Sequence, residues 1–100
     1  MFILSLPGYT KATVTRAQKM LDIMLYLPDK IGHREYDQCV EMGDGEDVAF
    51  LVMHTLVHHK VFFETLPQKT QIYLGFDAWE NWKRDYIEKS TLQTKIELDI

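Results

Sequence analysis

The sequence contains a single cysteine, Cys39, which excludes a disulfide within the chain and favours a reducing compartment. Prolines and glycines are also few, at three and five of 100 residues, and they form no linker or low-complexity segment. No apolar run approaches the ~18 residues needed to span a bilayer. The apolar start of the chain has no basic region before it and is closed early by Pro7-Gly8, unlike a signal peptide. These absences predict a cytoplasmic protein without a membrane segment.

Positive charge is scarce and scattered. Eleven basic residues against fifteen acidic ones leave a net charge of −4, and the basic residues form no cluster that would follow a phosphate backbone. The chain also lacks a phosphate-binding glycine loop, a paired-cysteine metal motif and a nucleophile elbow. We therefore predict no nucleic-acid partner, no cofactor and no enzymatic activity.

What is present is the composition of an ordinary globular protein. Hydrophobic residues make up 46% and charged residues 26% of the chain. A chain of 100 residues has the usual length of one domain, and it buries about two thirds of the surface that its unfolded form exposes. We expect a single domain over residues 1–100.

The first third of the chain predicts a strand followed by a helix. Phe2–Leu6 is a short apolar run closed by a Pro-Gly turn, as in a buried strand. Thr15 and Gln18 have the spacing of a capping box, and apolar residues then recur at helical spacing. The helix should end at Leu27, because the proline that follows disfavours the α conformation there.

Two further helices are predicted downstream. Asp44 is a suitable N-cap, and acidic residues in the following turn favour a helix that continues to Leu66. Asp77 is the expected N-cap of a helix over Ala78–Lys89.

The last segment alternates apolar and polar residues from Leu92 to Ile100, the pattern of a half-buried strand. Two pieces, Ile31–Met42 and Gln71–Phe76, fit either a strand or a helix. The resulting fold prediction is α+β: a small domain with a two- to four-stranded, mostly antiparallel sheet that includes both termini, packed against about three helices.

Three of the four histidines lie in the central helix and suggest a metal site. A helical projection places His54 and His58 on one polar face with Asp47, a set that suits a divalent metal with an open position for water. The set is incomplete, because a further ligand would have to come from His33, Cys39 or a remote acid. No glutamate follows His54 to serve as the general base, as it does in a metalloprotease helix. A polar face exposed to solvent is the preferred interpretation, and the same projection places His59 on the apolar face.

Aromatic residues of the third predicted helix, over Ala78–Lys89, suggest a binding surface. Trp79, Trp82 and Tyr86 share one face of a strongly charged segment, and such residues are enriched at interface hot spots. Part of this stripe should complete the core. Glu46 and Asp47 add negative charge that suits a basic partner surface.

These observations favour a small acidic protein-binding module, an accessory or inhibitory factor that occupies the surface of another protein. The interface is assigned to Trp79, Trp82, Tyr86, Glu46 and Asp47. The alternative is a metal-dependent hydrolase that uses His54, His58 and Asp47. A homo-oligomer with the aromatic stripe as its interface is a third option.

Overall fold

The computed structural model describes the backbone of residues 1–31 and 43–98 and the side chains of 1–31 and 43–92. This part of the chain contains α-helices and two one-turn 3₁₀ helices, and within it there is no strand. The helices are α1 (Lys11–Tyr26), α2 (Gly45–His58), α3 (Gln68–Leu74) and α4 (Phe76–Leu98), with 3₁₀ turns at Pro28–Lys30 and Phe63–Thr65. The α+β prediction, with a sheet that includes both termini, is therefore wrong.

The predicted first strand is wrong: Phe2–Leu6 is irregular, and residues 1–31 and 43–98 offer no strand for it to pair with. Side chains bind its backbone instead: the Ile3 amide donates to Gln18 Oε1 at 2.7 Å, and the Leu4 amide donates to Thr55 Oγ1 at 2.9 Å. These bonds satisfy two backbone donors without a sheet. The start of the chain is thus held against the first two helices in an irregular conformation.

Helix α1 begins earlier than the capping box at Thr15 predicted. Thr10 is the N-cap, and its hydroxyl accepts a hydrogen bond from the Thr13 amide at 3.2 Å. The end of α1 is as expected, since Tyr26 is its last residue and Leu27, which precedes Pro28, is its C-cap.

Helix α2 begins where the sequence predicts, with Asp44 as N-cap residue, but it ends at His58 rather than at Leu66. Lys60 adopts the left-handed conformation, with φ of 56°. The Lys60 amide bonds to the Val57 carbonyl at 3.1 Å and the Val61 amide to the Leu56 carbonyl at 2.9 Å. This is the Schellman pattern of helix termination. Sequence inspection missed it because lysine occupies the position where glycine is the usual signal.

The segment Gln71–Phe76 is helical except at Gly75. Gly75 separates α3 from α4 with φ of 69°, which a residue with a side chain rarely adopts. Helix α4 then continues through Leu98, so the predicted strand over Leu92–Ile100 is wrong up to that residue. No proline or glycine interrupts the chain after Gly75, and extending a formed helix requires no new nucleation. Residues 99–100, and the uncertain piece over 32–42, lie outside the described residues.

The core lies where α2 packs against α1 on one side and against α4 on the other. Its fully buried side chains include Leu21, Met24, Leu51 and Leu56. The short helix α3 is anchored to the end of α1 by Thr70, whose buried hydroxyl donates to the Met24 carbonyl at 2.6 Å. Beside this core, the first half of α2 and the middle of α4 lie next to each other at the protein surface.

Candidate protein-binding groove

A small groove lies between the first half of α2 and the middle of α4. Its volume is about 130 Å³. The lining residues are Glu46, Ala49, Phe50, Trp82, Asp85, Tyr86 and Lys89. The tertiary structure thus brings together three of the five residues that the sequence assigned to an interface, Glu46, Trp82 and Tyr86. We call this feature the α2–α4 groove.

Aromatic rings form the inner wall of the groove. Phe50 is 7% exposed, and its ring centroid lies 5.1 Å from that of Tyr86 at a tilted angle. Tyr9 stacks against Phe50 from the loop before α1, with a centroid separation of 6.4 Å. Trp82 is half-buried on the α4 side. Phe50 was not among the predicted site residues, because its position in an apolar helix gave no reason to separate it from the core.

Charged side chains form the rim of the groove. Lys89 Nζ lies 3.2 Å from Glu46 Oε1 and 6.0 Å from the centroid of the Phe50 ring. Asp85 lies on the same rim and is exposed. The rim therefore carries two carboxylates and one ammonium group, which is held over an aromatic ring.

His54 is half-buried behind the groove, where it contacts the lining residues Tyr86 and Phe50. Its Nδ1 lies 2.7 Å from the Tyr86 hydroxyl, a hydrogen bond that holds the tyrosine ring in place. The His54 ring is parallel to that of Phe50, at 6.4 Å between centroids. Burial, and secondly the neighbouring His58, lower the pKa of His54 below its ordinary value. His54 is thus a half-buried residue that positions Tyr86.

The other predicted interface residues lie elsewhere. Trp79 is only 3% exposed and packs against Phe63, at 5.8 Å between ring centroids, so it contributes to the core. Asp47 is exposed on α2 beside Tyr9. Burial and, to a lesser degree, the Asp47 carboxylate raise the pKa of Tyr9.

The residues of the metal hypothesis do not form a metal site in the described structure. The rings of His54 and His58 are 6.1 Å apart, and His54 is bonded to Tyr86. The portions 1–31 and 43–92 contain no group of three or more His, Cys, Asp or Glu side chains that could hold a metal ion. His59, expected on the apolar face, is exposed because α2 ends before it. Cys39 lies outside the described residues.

A second surface feature was not predicted from the sequence. Phe62 and Phe76 are 57% and 59% exposed, and they flank a cavity of about 290 Å³ that also involves Phe63 and Val61. Phe76 and Phe63 meet edge to face at 5.6 Å. The signal in the sequence is the Phe62-Phe63 pair, which a helix continuing to Leu66 would include. Because α2 ends at His58, the pair instead lies in the segment that follows the helix.

No described helix is both long and apolar enough to cross a membrane.

Comparison with known proteins gives a limited similarity. No protein-family model matches the chain, and no solved structure matches it. The chain is 38% identical over 72 residues to the E3 ubiquitin-protein ligase HACE1 of Xenopus tropicalis, and 36% identical over 72 residues to that of Xenopus laevis. These matches cover 72% of this chain but only 7% of each ligase. The chain is therefore similar to a short segment of an E3 ubiquitin-protein ligase.

Proposed function

We propose that the chain is a protein-binding module whose contact surface is the α2–α4 groove, and that it acts as an accessory or inhibitory factor by occupying a partner's surface. The observation that carries the proposal is the juxtaposition of Glu46 on α2 with Trp82 and Tyr86 on α4. Residues 36 or more positions apart in sequence combine here into one aromatic and acidic surface. Tryptophan and tyrosine are the residues most often found at interface hot spots.

The size of the groove favours a protein over a small-molecule ligand. Its volume of about 130 Å³ is below the ~300–1,000 Å³ typical of small-molecule and cofactor sites. A groove of this size holds a single side chain of a partner, while the surrounding helix faces supply the rest of the contact. A non-catalytic role without a cofactor is part of the proposal.

The similarity to HACE1 supports a binding role. A ubiquitin-protein ligase, as its name states, acts on proteins, and the matched segment is 7% of its length. A segment that short has room for a contact surface supported by a few helices, and the described residues form such a small set of helices. A cytoplasmic location stays a prediction.

The experiment is a comparison of partner capture by matched variants of the full chain. Glu46→Lys reverses an exposed charge on the rim of the groove, and Trp82→Ala removes the largest aromatic ring that lines the groove. Ile72→Ser changes a side chain that is 74% exposed on α3, outside the groove, and serves as the control. Circular dichroism confirms that each variant folds before it is used.

We expect a stoichiometric partner that the wild type and Ile72→Ser retain and that both groove variants lose. A partner that all four proteins retain equally would show that the groove is not the contact surface. Sedimentation provides a further check: a concentration-dependent mass that Trp82→Ala abolishes would assign the groove to self-association and contradict the proposal.

A further inference from the structure

We infer that the α2–α4 groove is a binding site for a lysine side chain of the partner, and that Lys89 of this chain occupies the site when the partner is absent. The inference rests on the proposed function, because it specifies which group of a partner protein enters the groove. It starts from the resident cation: the Lys89 ammonium lies 3.2 Å from Glu46 Oε1 and 6.0 Å from the Phe50 ring centroid.

The position of Lys89 shows which chemistry the groove accepts. A cation within about 6 Å of an aromatic centroid is attracted by the negative face of the ring, and a carboxylate beside it adds a charge-assisted bond. Phe50 and Glu46 supply these two elements, and both belong to α2. The ring of Tyr86 lies 5.1 Å from that of Phe50 and widens the aromatic wall.

Lys89 is held loosely enough to be displaced. Its side chain is 47% exposed, and that of Glu46 is 86% exposed, so water competes with their ion pair. Exposed ion pairs of this kind are worth little in protein stability. Lys89 can therefore leave the groove for solvent without a large loss.

Charge explains why a second ammonium group would replace it. With Lys89 in solvent, the rim of the groove presents the carboxylates of Glu46 and Asp85, and no other cation among the described residues lines it. The chain as a whole carries a charge of −4, which attracts a basic partner at long range. A lysine on the partner returns one positive charge to the rim, as Lys89 does in the free chain, and brings its own protein surface to Trp82.

The test uses the full chain, labelled with ¹⁵N, and two small probes. N-acetyl-lysine methylamide carries the ammonium group, whereas Nα,Nε-diacetyl-lysine methylamide has the same stem without the charge. The indole N–H of Trp82 and the amides of residues 46–50 report binding. We expect a saturable shift with the first probe and none with the second.

Two lysine variants test the role of the resident cation. Lys89→Ala removes the competitor and should tighten binding of N-acetyl-lysine methylamide by about two- to fivefold, the range that corresponds to a surface ion pair. Lys11→Ala makes the same change in net charge on α1 and should leave the affinity unchanged. Glu46→Gln should weaken binding while preserving the fold.

Equal binding of the diacetylated probe, or unchanged affinity in Lys89→Ala, would overturn the inference. These failures are distinguishable from failure of the proposed function. If partner capture depends on Glu46 and Trp82 but neither probe binds, the groove is a protein contact and the lysine assignment is wrong. If the lysine probe binds as expected but Glu46→Lys and Trp82→Ala capture the partner as well as the wild type does, the proposed function is wrong.

Discussion

Tyr86 Oη and His54 Nδ1 lie 2.7 Å apart, and this hydrogen bond joins α4 to α2 directly beneath the α2–α4 groove. The two helices run antiparallel here, because Tyr86 meets Phe50 and His54 while Lys89 meets Glu46. The bond therefore links the two helices and orients an aromatic ring that lines the groove.

Tyr86→Phe should destabilise the protein by about 0.5–1.5 kcal/mol, because it removes the hydrogen bond and leaves His54 Nδ1 without this partner. Urea denaturation measures the free energy of unfolding. Tyr26→Phe provides the control: it removes a solvent-exposed hydroxyl that accepts a hydrogen bond from the N-terminal ammonium at 2.7 Å, and because water competes with that bond the expected loss is smaller. If Tyr86→Phe lowers the free energy of unfolding no more than the control does, the bond does not contribute to stability.

The stability of the protein should fall as the pH is lowered through about 6.5, the ordinary pKa of histidine. Burial and the nearby His58 lower the pKa of His54 in the folded state, so the unfolded chain binds a proton more readily in this range. The neutral form of His54 thus contributes stability that is fully present above pH 6.5 and is lost on acidification toward the lowered pKa. Denaturation at a series of pH values measures this trend.

His54→Gln should remove part of that pH dependence, since the variant has no group that titrates at this position. His58→Gln should reduce it to a smaller extent, because only the charge of the neighbouring histidine is lost. A His54→Gln variant whose stability follows the wild-type pH profile would contradict the role of His54.

Asp44→Asn should lower the free energy of unfolding by about 1–3 kcal/mol at neutral pH. The Asp44 side chain is buried, and its Oδ2 accepts hydrogen bonds from Thr13 Oγ1 at 3.0 Å and from Arg16 Nε at 2.7 Å. These bonds connect the start of α2 to α1. Asp77→Asn, at an exposed position, is the control.

The difference in unfolding free energy between wild type and Asp44→Asn should decrease in acid. The bonds from Arg16 lower the pKa of Asp44, although burial acts in the opposite direction. The carboxylate therefore stabilises the fold above its ordinary pKa, and this contribution is lost as the pH falls through the lowered pKa. Once the wild-type carboxyl is protonated, wild type and variant should have similar stabilities; a constant difference would contradict this account.

Gly75→Ala should destabilise the protein by about 1–3 kcal/mol, the usual cost of a strained backbone conformation. Gly75 has φ of 69° and ψ of 148°, and a β-carbon added there would meet no atom within 4 Å. The expected loss of stability thus comes from the backbone conformation and not from a steric clash. Thermal unfolding measures it, with Ile72→Ala as the exposed control, and an unchanged melting temperature would show that the α3–α4 junction relaxes freely.

Local signals explain which elements could be predicted from the sequence. Pro28 marked the end of α1, and Asp44 with the acidic turn after it marked the start of α2. The aromatic segment after Asp77 was correctly expected to be helical. In each case a residue near the helix end restricts the backbone or favours the helix without help from distant residues.

The strand predictions failed because a strand needs a partner, which no local pattern reveals. Phe2–Leu6 is held by Gln18 and Thr55, and the alternating residues from Leu92 to Leu98 simply continue α4. The end of α2 failed for a different reason, since Lys60 adopts a conformation for which its side chain gives no signal.

The sequence alone determined the acidic character of the chain, the start of its central helix and the set of aromatic and acidic residues that we assign to an interface. Only the tertiary structure decided how that set divides. Trp79 faces the core, whereas Trp82 and Tyr86 meet Glu46 and Phe50 across two helices. The physical reason is that the exposure of a side chain depends on which helices pack together and at what register. Only the side chains at a contact between helices are removed from water, and these are the ones whose burial stabilises the fold.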